Sequence, residues 1–503
     1  MTKQQSNDMT NRRILNWKRN IIVLSVFFET LFCSCILFAQ DTSSFKVNDK
    51  LIIKKEFDQQ INKMLVGAGI PGISVAIIDG GQIVYSNAYG YKRIKSQDLV
   101  DKNTLFEACS LSKSFVVYMA NQMADEHKLD LDKPLYEYLK YPLLEHDKRY
   151  KLITARMVLG HASGLENWKE DHNPDSLEIL ADPGTEYIYS GEGYQYLAKV
   201  IESLRKESYE DYTEKMIIKP LNLERTYVAF NAEGTNPSNY AIGHDIFEKE
   251  VNKLKNTTPI PASGINLTAK DYAKLIISLF DEHRFSANRI KEMKNPVIKE
   301  HADNPSLFYG PGFEILRTDK DTLMLHGGDN FGFKGFVCYS ITHKRGLVFL
   351  ANSDRGKSLT KKLCEMTVGF DIDDYFKNDY KSQYPSTAIE LLNTYLQQGE
   401  DQMTSRLMAL IKKSDGKIGD KILNELGRQF IFHDNAIARK LLNENIKLYP
   451  KSAFAYYLLG HIDMMENDFR TAHKNLVMAK ELNYTNDPVD PDIKVCEEKI
   501  NLN

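Results

Sequence analysis

The residues best suited to chemistry are a serine and a lysine three positions apart. Ser110 and Lys113 open a stretch in which Phe115, Met119 and Met123 recur with helical spacing. Residues three apart share one face of a helix, so the Lys113 amine can reach the Ser110 hydroxyl. Burial and the positive end of the helix dipole favour a neutral amine, which can take the proton of a serine. The pair is a candidate nucleophile and base.

The same pair has a simpler interpretation. A Ser-x-x-Lys spacing occurs by chance in long chains, and serine or lysine near a helix start is often a cap or a solvated residue. Cys109 adjoins Ser110 but is expected to point away from the face of Lys113, so we interpret it as structural. The rest of the chain has to decide between the two interpretations.

Three later residues could join the pair. Tyr189 precedes a predicted helix, and a phenol there is either a packing residue or a base whose pKa a nearby cation lowers. His326 is followed by two glycines, which would let the backbone approach a ligand, although an ordinary strand end fits equally. His161 ends a helix that begins near Ile153, and we interpret it as a capping or packing residue.

The elements around these residues predict a sheet covered by helices. A helix is expected over residues 51–66, followed by a strand at Ile73–Ile78, a turn at Asp79–Gly81 and a return strand from Gln82. Two closing strands are expected over residues 334–340 and 347–352. Strands from both ends of the segment would form one large domain over residues 46–368.

Composition excludes several classes of protein. The 503 residues are enough for about two to four domains, and 42% hydrophobic and 26% charged residues are typical of globular chains. A net charge of −3 gives no sign of nucleic-acid binding. The six cysteines form neither a disulfide framework nor a metal-binding spacing. No metal and no cofactor is predicted.

Residues 1–40 resemble an export segment. Basic residues, including Arg12 and Arg19, precede an apolar run over residues 21–39 that ends in a small residue, Ala39. We predict a cleaved secretory signal, with an uncleaved membrane anchor as the alternative. Glu29 within the run is better tolerated by a signal than by a permanent span. The protein is expected to be exported and to lie in, or face, the periplasm.

The C-terminal third changes to helix pairs. After a linker over residues 369–384, residues 385–503 are predicted to be all-α. Residues 456–479 and 426–450 resemble the tetratricopeptide pattern, and residues 386–413 would form a degenerate cap. One interpretation is a groove for a protein or peptide partner. The other is packing on the preceding domain or self-association.

Together the motifs resemble the penicillin-recognising serine hydrolases, which include class C β-lactamases, D-alanyl-D-alanine carboxypeptidases and related esterases. The matching segments keep the family's order and are Ser110–Lys113 for Ser-x-x-Lys, His161–Leu165 for His-x-Ser-Gly-Leu, Tyr189–Gly191 for Tyr-x-Asn and His326–Gly328 for Lys-Thr-Gly or His-x-Gly. The resemblance implies an α/β, β-lactamase/transpeptidase-like domain with a mixed, largely antiparallel sheet, flanking helices and a helical subdomain.

The resemblance also implies roles. Ser110 would be acylated while Lys113 and Tyr189 move its proton, and His326 would orient the Tyr189 hydroxyl or bind a substrate carboxylate. The N–H groups of Ser110 and Asp329 would form the oxyanion hole.

Gly328 and Gly191 would lie at the substrate-binding edge of the site. Gly191 lacks the amide that the family places there, and His326 replaces a permanently charged lysine. These departures favour an esterase, amidase or peptidase with a small-molecule or peptide substrate over an efficient β-lactamase. The alternative function is a non-catalytic sensor whose helical repeats recruit a partner.

Overall fold

The computed structural model describes residues 43–169, 175–230, 238–252, 256–300, 304–319, 321–370, 372–375, 387–414, 416, 419–484 and 489–501. The predicted export segment and most of the predicted linker lie outside them. Among the described residues, no helix is both long enough and apolar enough to cross a bilayer. The chain divides into two compact units, with the break after Ile61.

The first unit contains a short hairpin. Strands β1 (Ser44–Val47) and β2 (Lys50–Ile53) pair antiparallel and lead into helix α1 (Lys54–Ala68), which crosses the break between the units. The rings of Phe45 and Phe57 meet edge to face. The helix was expected from residue 51, but residues 50–53 pair as a strand instead.

The second unit is built on a nine-stranded sheet. The strands of this unit are β3 (Gly72–Asp79), β4 (Gln82–Arg93), β5 (Asp98–Leu99), β6 (Phe106–Glu107), β7 (Thr226–Tyr227), β8 (Asn266–Leu267), β9 (Ile298–Lys299), β10 (Leu307–Tyr309), β11 (Glu314–Arg317), β12 (Thr322–Asn330), β13 (Phe333–Ser340) and β14 (Arg345–Ala351). The large sheet has the strand order β5-β4-β3-β14-β13-β12-β11-β10-β9, and a smaller sheet has the order β6-β8-β7. Each pairing between these described strands is antiparallel, so the mixed sheet that was expected is antiparallel here.

The hairpin of β3 and β4 follows from its sequence. Ile73, Val75 and Ile77 are buried on a central strand, as a continuous apolar run predicts. Gly80 and Gly81 both have positive φ, which a two-residue type I′ turn requires. β14 pairs with β3 along its length, so strands from the two ends of the segment meet in one sheet, as expected.

Helices cover this sheet, and we call residues 62–370 the sheet region. Its helices after α1 are α2 (Lys113–Asp125), α3 (Ala155–Leu159), α4 (Gly191–Arg205), α5 (Tyr209–Thr213), α6 (Ala269–Leu279), α7 (Ala287–Met293) and α8 (Thr360–Met366). Phe115, Val116 and Met119 are fully buried, so α2 is enclosed on all sides. The helix that begins at the candidate nucleophile is thus the centre of the core.

Residues 387–501, which we call the helical region, are all-α. The helices are α9 (Thr387–Gln398), α10 (Glu400–Lys413), α11 (Gly419–Phe430), α12 (Asn435–Leu448), α13 (Ala453–Met465), α14 (Phe469–Glu481) and α15 (Asp490–Asn501). Leu426, Leu442 and Leu459 belong to a core that helices α9 to α13 share, and Ala472, Leu476 and Cys496 belong to a smaller core at α14 and α15. The helical architecture is confirmed, whereas the tetratricopeptide identity and the domain boundaries stay predictions.

The helical region packs on the sheet region. Phe247 of the sheet region belongs to the core of the helical region, and its ring stacks on His433 with centroids 3.5 Å apart. The guanidinium of Arg355 is fully buried and donates to Ile246 O at 2.8 Å and to Asn393 Oδ1 at 2.6 Å. Of the two interpretations of the helices, this face shows packing on the preceding domain.

We expect Arg355→Ala to lower the free energy of unfolding by about 2–4 kcal/mol, because it removes charged hydrogen bonds from a buried network. Urea unfolding followed by circular dichroism measures the change. Arg406→Ala is the matched control, since Arg406 makes only an exposed pair with Glu390 and should cost within about 1 kcal/mol. Equal losses in the two variants would contradict the docking role of Arg355.

Candidate active site

Ser110 lies on a tight turn that opens directly into α2. A 3₁₀-helix over Cys109–Ser112 joins Lys113 without a break, and Cys109 has a φ of 53°. The backbone of a non-glycine residue with positive φ is strained, and such strain often occurs at functional sites. The Cys109 thiol is buried and reaches the Phe333 carbonyl at 3.5 Å, so it packs against strand β13. Ser110 itself is partly exposed.

Strand β12 holds this turn from behind. A Cβ atom on Gly328 would lie 2.8 Å from the Ala108 carbonyl oxygen, so only glycine allows the strand to approach this closely. Of the two glycines after His326, Gly328 therefore serves a close backbone contact with the serine turn, whereas a Cβ atom on Gly327 would meet nothing within 4 Å. Ser110 and Asp329 line one cavity, while an oxyanion hole formed by their amides stays a prediction.

Lys113 and Ser110 meet as the spacing predicts. The Lys113 Nζ atom lies 3.2 Å from Ser110 Oγ and 3.0 Å from the Ala262 carbonyl oxygen. Lys113 has no exposed surface, and burial lowers its pKa to about 7. The amine is therefore available in its neutral form near neutral pH and can accept the serine proton.

Tyr189 completes the group from a distant loop. Tyr189 lines the same cavity as Ser110, and Lys113 Nζ lies 4.7 Å from the centre of the Tyr189 ring. Burial raises the pKa of Tyr189 above its usual range, although the neighbouring Ser110 hydroxyl acts against this. The phenol therefore keeps its proton near neutral pH and lacks the lowered pKa that a base would need.

His161 positions Tyr189. Its ring stacks on the Tyr189 ring with centroids 4.1 Å apart, and its Nδ1 atom accepts a hydrogen bond from Ser190 N at 3.0 Å. Burial lowers the pKa of His161, with Lys113 adding to the effect, so the ring is neutral. The packing role expected for His161 is confirmed, and the residue that it packs against is the phenol of the site.

Asn167 braces the same loop from the other side. The Gly191 N–H donates to the Asn167 side-chain oxygen at 3.0 Å and to the Asn167 carbonyl at 2.9 Å. Ser190 caps α4 by accepting from Gly193 N at 2.9 Å, and its hydroxyl donates to the Glu166 carbonyl at 2.7 Å. Segment 161–168 thus fixes where Tyr189 stands.

Trp168 covers Gly191. A Cβ atom on Gly191 would lie 2.8 Å from two atoms of the Trp168 ring, so the indole fills the space that a side chain there would need. Trp168 keeps 42% of its surface exposed and lines the cavity with Asn167. The Trp168 indole, which comes from another segment, therefore occupies the space that the amide side chain would fill at position 191.

His326 has partners other than those expected. Its Nδ1–H donates to the Gly327 carbonyl at 2.7 Å, so its Nε2 accepts from the Tyr309 hydroxyl at 3.2 Å. Burial, with Lys113 nearby, lowers the pKa of His326 to about 3. Both nitrogens are engaged, so the expected bond to the Tyr189 hydroxyl is replaced by one from Tyr309. A neutral ring also offers no charge to a substrate carboxylate.

The cavity in front of Ser110 has a volume of about 410 Å³, and charged side chains that form ion pairs lie along its wall. The Asp329 carboxylate meets Lys357 at 3.0 Å and Lys334 at 2.9 Å. Glu314 also lines the cavity, and burial raises its pKa to about 7. The charged groups at this wall therefore largely neutralise one another.

Sequence reasoning named the candidate catalytic residues and missed those that shape the pocket. Asn167, Trp168 and Glu314 carry no motif, and a lone asparagine or tryptophan in a loop is ordinarily surface or packing. The one available signal was the departure at Gly191, because a missing side chain leaves space for a neighbour. That signal does not say which neighbour fills it.

Comparison with known proteins places most of the chain in one family. The family model described as Beta-lactamase matches residues 57–363. The chain is 24% identical over 323 residues to Protein flp of Staphylococcus aureus (strain N315), covering 59% of this chain and 63% of that protein. It is 23% identical over 315 residues to Penicillin-binding protein 4* of Bacillus subtilis (strain 168), covering 56% and 68%. This chain thus spans less than two thirds of the length of Protein flp.

Solved structures show the same fold. An octameric penicillin-binding protein homologue from Pyrococcus abyssi superposes with a TM-score of 0.52 at 24% identity, over 60% of this chain and 74% of that one. A class C beta-lactamase superposes with a TM-score of 0.52 at 21% identity, over 65% and 95%. These matches confirm the β-lactamase-like fold of the sheet region.

We expect hydrolysis to depend on pH through Lys113. Because the amine must be neutral to take the Ser110 proton, kcat/KM should rise about tenfold per unit below pH 7 and level off above it. Initial rates with p-nitrophenyl acetate from pH 5 to 9 measure this, with Ser110→Ala correcting for uncatalysed hydrolysis. A flat profile across that range would contradict the assignment of Lys113 as the base.

We expect Gly191→Asn to lower the free energy of unfolding by about 1–3 kcal/mol, because the new side chain must displace the Trp168 ring. Adding Trp168→Ala should recover part of the loss, since the two residues compete for the same space. Thermal unfolding of both single variants and the double variant measures the coupling. Strict additivity would show that Trp168 does not occupy the Gly191 site.

Proposed function

Because the chain belongs to the beta-lactamase family, whose fold and serine-hydrolase motifs it shares, we propose that it hydrolyses an ester or amide through an acyl-enzyme on Ser110. One observation carries the proposal: Lys113 Nζ lies 3.2 Å from Ser110 Oγ and 4.7 Å from the centre of the Tyr189 ring, and Ser110 and Tyr189 line the same cavity. A nucleophile, a neutral amine and a phenol therefore lie next to one another. Each has the protonation state that acyl transfer needs near neutral pH.

The steps follow from these protonation states. Ser110 Oγ attacks the substrate carbonyl while Lys113 takes its proton, and the carbonyl becomes an oxyanion. Collapse of this intermediate breaks the bond to the leaving group, which takes the proton of the Tyr189 phenol, and Lys113 returns its proton to Tyr189. Water then attacks the ester on Ser110 by the same route and releases the acid.

The charges of the cavity favour a substrate without a carboxylate at the scissile end. Among the described residues that line the cavity, Lys357 is paired with Asp329, and the His326 ring is neutral. A carboxylate bound there would compete with Asp329 for Lys357, and the neutral His326 ring would add no positive charge. We therefore propose an esterase, amidase or peptidase rather than an efficient β-lactamase. Export to the periplasm belongs to the same proposal, on the pattern of residues 1–40.

The direct test is covalent labelling. We expect a fluorophosphonate to add one equivalent to the wild type and none to Ser110→Ala, as read by intact mass. Ser405→Ala is the matched control, because this serine is exposed on α10, and it should label fully. A fluorescent penicillin should label more slowly than the fluorophosphonate. Labelling that survives in Ser110→Ala, or never occurs in the wild type, would favour a non-catalytic binding protein.

A further inference from the structure

A second cavity lies beside the one in front of Ser110. Its volume is about 420 Å³, and the sheet region and the helical region both line it. Phe331 and Lys357 line it from the sheet region, and Leu392, Arg428 and Gln429 line it from helices α9 and α11. The helical region therefore forms part of a concave surface next to the candidate active site.

The two cavities share a wall. Asp329 and Lys357 line both of them, and their side chains form an ion pair at 3.0 Å. These side chains are 55% and 38% exposed. An exposed ion pair contributes about 0–1 kcal/mol, so the wall is a polar surface feature that a long ligand can lie across.

The second cavity has the mixed chemistry of a peptide-binding surface. Phe331 keeps 64% of its surface exposed and offers a ligand apolar surface, whereas Leu392 on the helical side is 1% exposed. Arg428 is partly exposed, and its guanidinium has five N–H donors, whose contact with Glu425 at 3.2 Å occupies only part of the group. Gln429 donates to Glu425 at 2.7 Å and carries an amide oxygen that can accept from a backbone N–H.

The combined volume of the two cavities supports a ligand longer than a single small molecule. Each cavity alone lies within the range of about 300–1,000 Å³ that small-ligand sites occupy. A ligand that fills both must pass from Ser110 across the pair of Asp329 and Lys357 to helix α11. A peptide provides both the alternating apolar side chains and the regular donors and acceptors that these walls complement.

We propose that the two cavities form one extended cleft for a peptide substrate, in which helices α9 and α11 bind residues remote from the scissile bond. This inference rests on the proposed acyl-serine hydrolysis. The helical region then acts as a specificity element of the enzyme, because its packing through Phe247 and Arg355 keeps α11 at a fixed place beside the site.

The test compares short and long probes of the same warhead. One fluorophosphonate carries only an ethoxy group, and the other two also carry a mixed-sequence five-residue peptide on phosphorus, joined through its C-terminus in one probe and through its N-terminus in the other, so that fluoride is the leaving group in all three. Labelling rates by intact mass are measured for the wild type and for a variant with Arg428→Ala and Gln429→Ala. Lys421→Ala is the matched control, since Lys421 is exposed on the same helix outside the cavity.

We expect at least one peptide probe to label the wild type about tenfold or more faster than the ethoxy probe, and the Arg428/Gln429 variant to lose most of that advantage. The ethoxy rate should stay unchanged in all three proteins, with circular dichroism confirming the fold. Equal rates for all probes in the wild type, or an advantage retained in the variant, would overturn the extended cleft. Failure of the ethoxy probe to label Ser110 would instead contradict the proposed hydrolase function.

Discussion

The site depends on keeping one amine out of water. Burial lowers the pKa of Lys113 from 10.5 to about 7, a shift on the order of 5 kcal/mol. Between these two values the unfolded chain holds a proton that the folded chain does not, so stability increases with pH over that interval. Below pH 7 the cost of burying the amine is fully present. The large apolar core around α2 has to offset it.

That core also explains why the site is rigid. Helix α2 is enclosed on all sides, and strand β12 approaches its first turn so closely that Gly328 can carry no side chain. The serine therefore stands on a turn whose backbone is held by the sheet and by the helix core together. Preorganised groups need no rearrangement as charge develops, which is the main source of electrostatic catalysis.

The phenol is positioned by a different means. Tyr189 lies on a loop, and loops lack the regular hydrogen bonds that hold strands and helices. Here the ring of His161 and the backbone and side chain of Asn167 supply those contacts. Segment 161–168 thus combines two tasks, since it braces the tyrosine loop and also provides Trp168 as a wall of the pocket.

Elements that depend on a local sequence signal could be predicted without the structure. Helical spacing placed Lys113 beside Ser110, an apolar run with two turn glycines predicted the hairpin of β3 and β4, and the change to helix pairs marked the helical region. These features are readable because each depends on residues only a few positions apart. The family motifs added Tyr189 and His326 to the site by resemblance.

Contacts between residues far apart in the chain became visible only in the folded protein. Trp168 covers Gly191, Tyr309 replaces Tyr189 as the partner of His326, and Phe247 enters the core of the helical region. None of these contacts is signalled by a periodic pattern or a fixed spacing in the sequence, because each depends on how the whole core packs. The physical reason is that secondary structure follows from neighbours along the chain, whereas pocket shape and pKa values follow from neighbours in space.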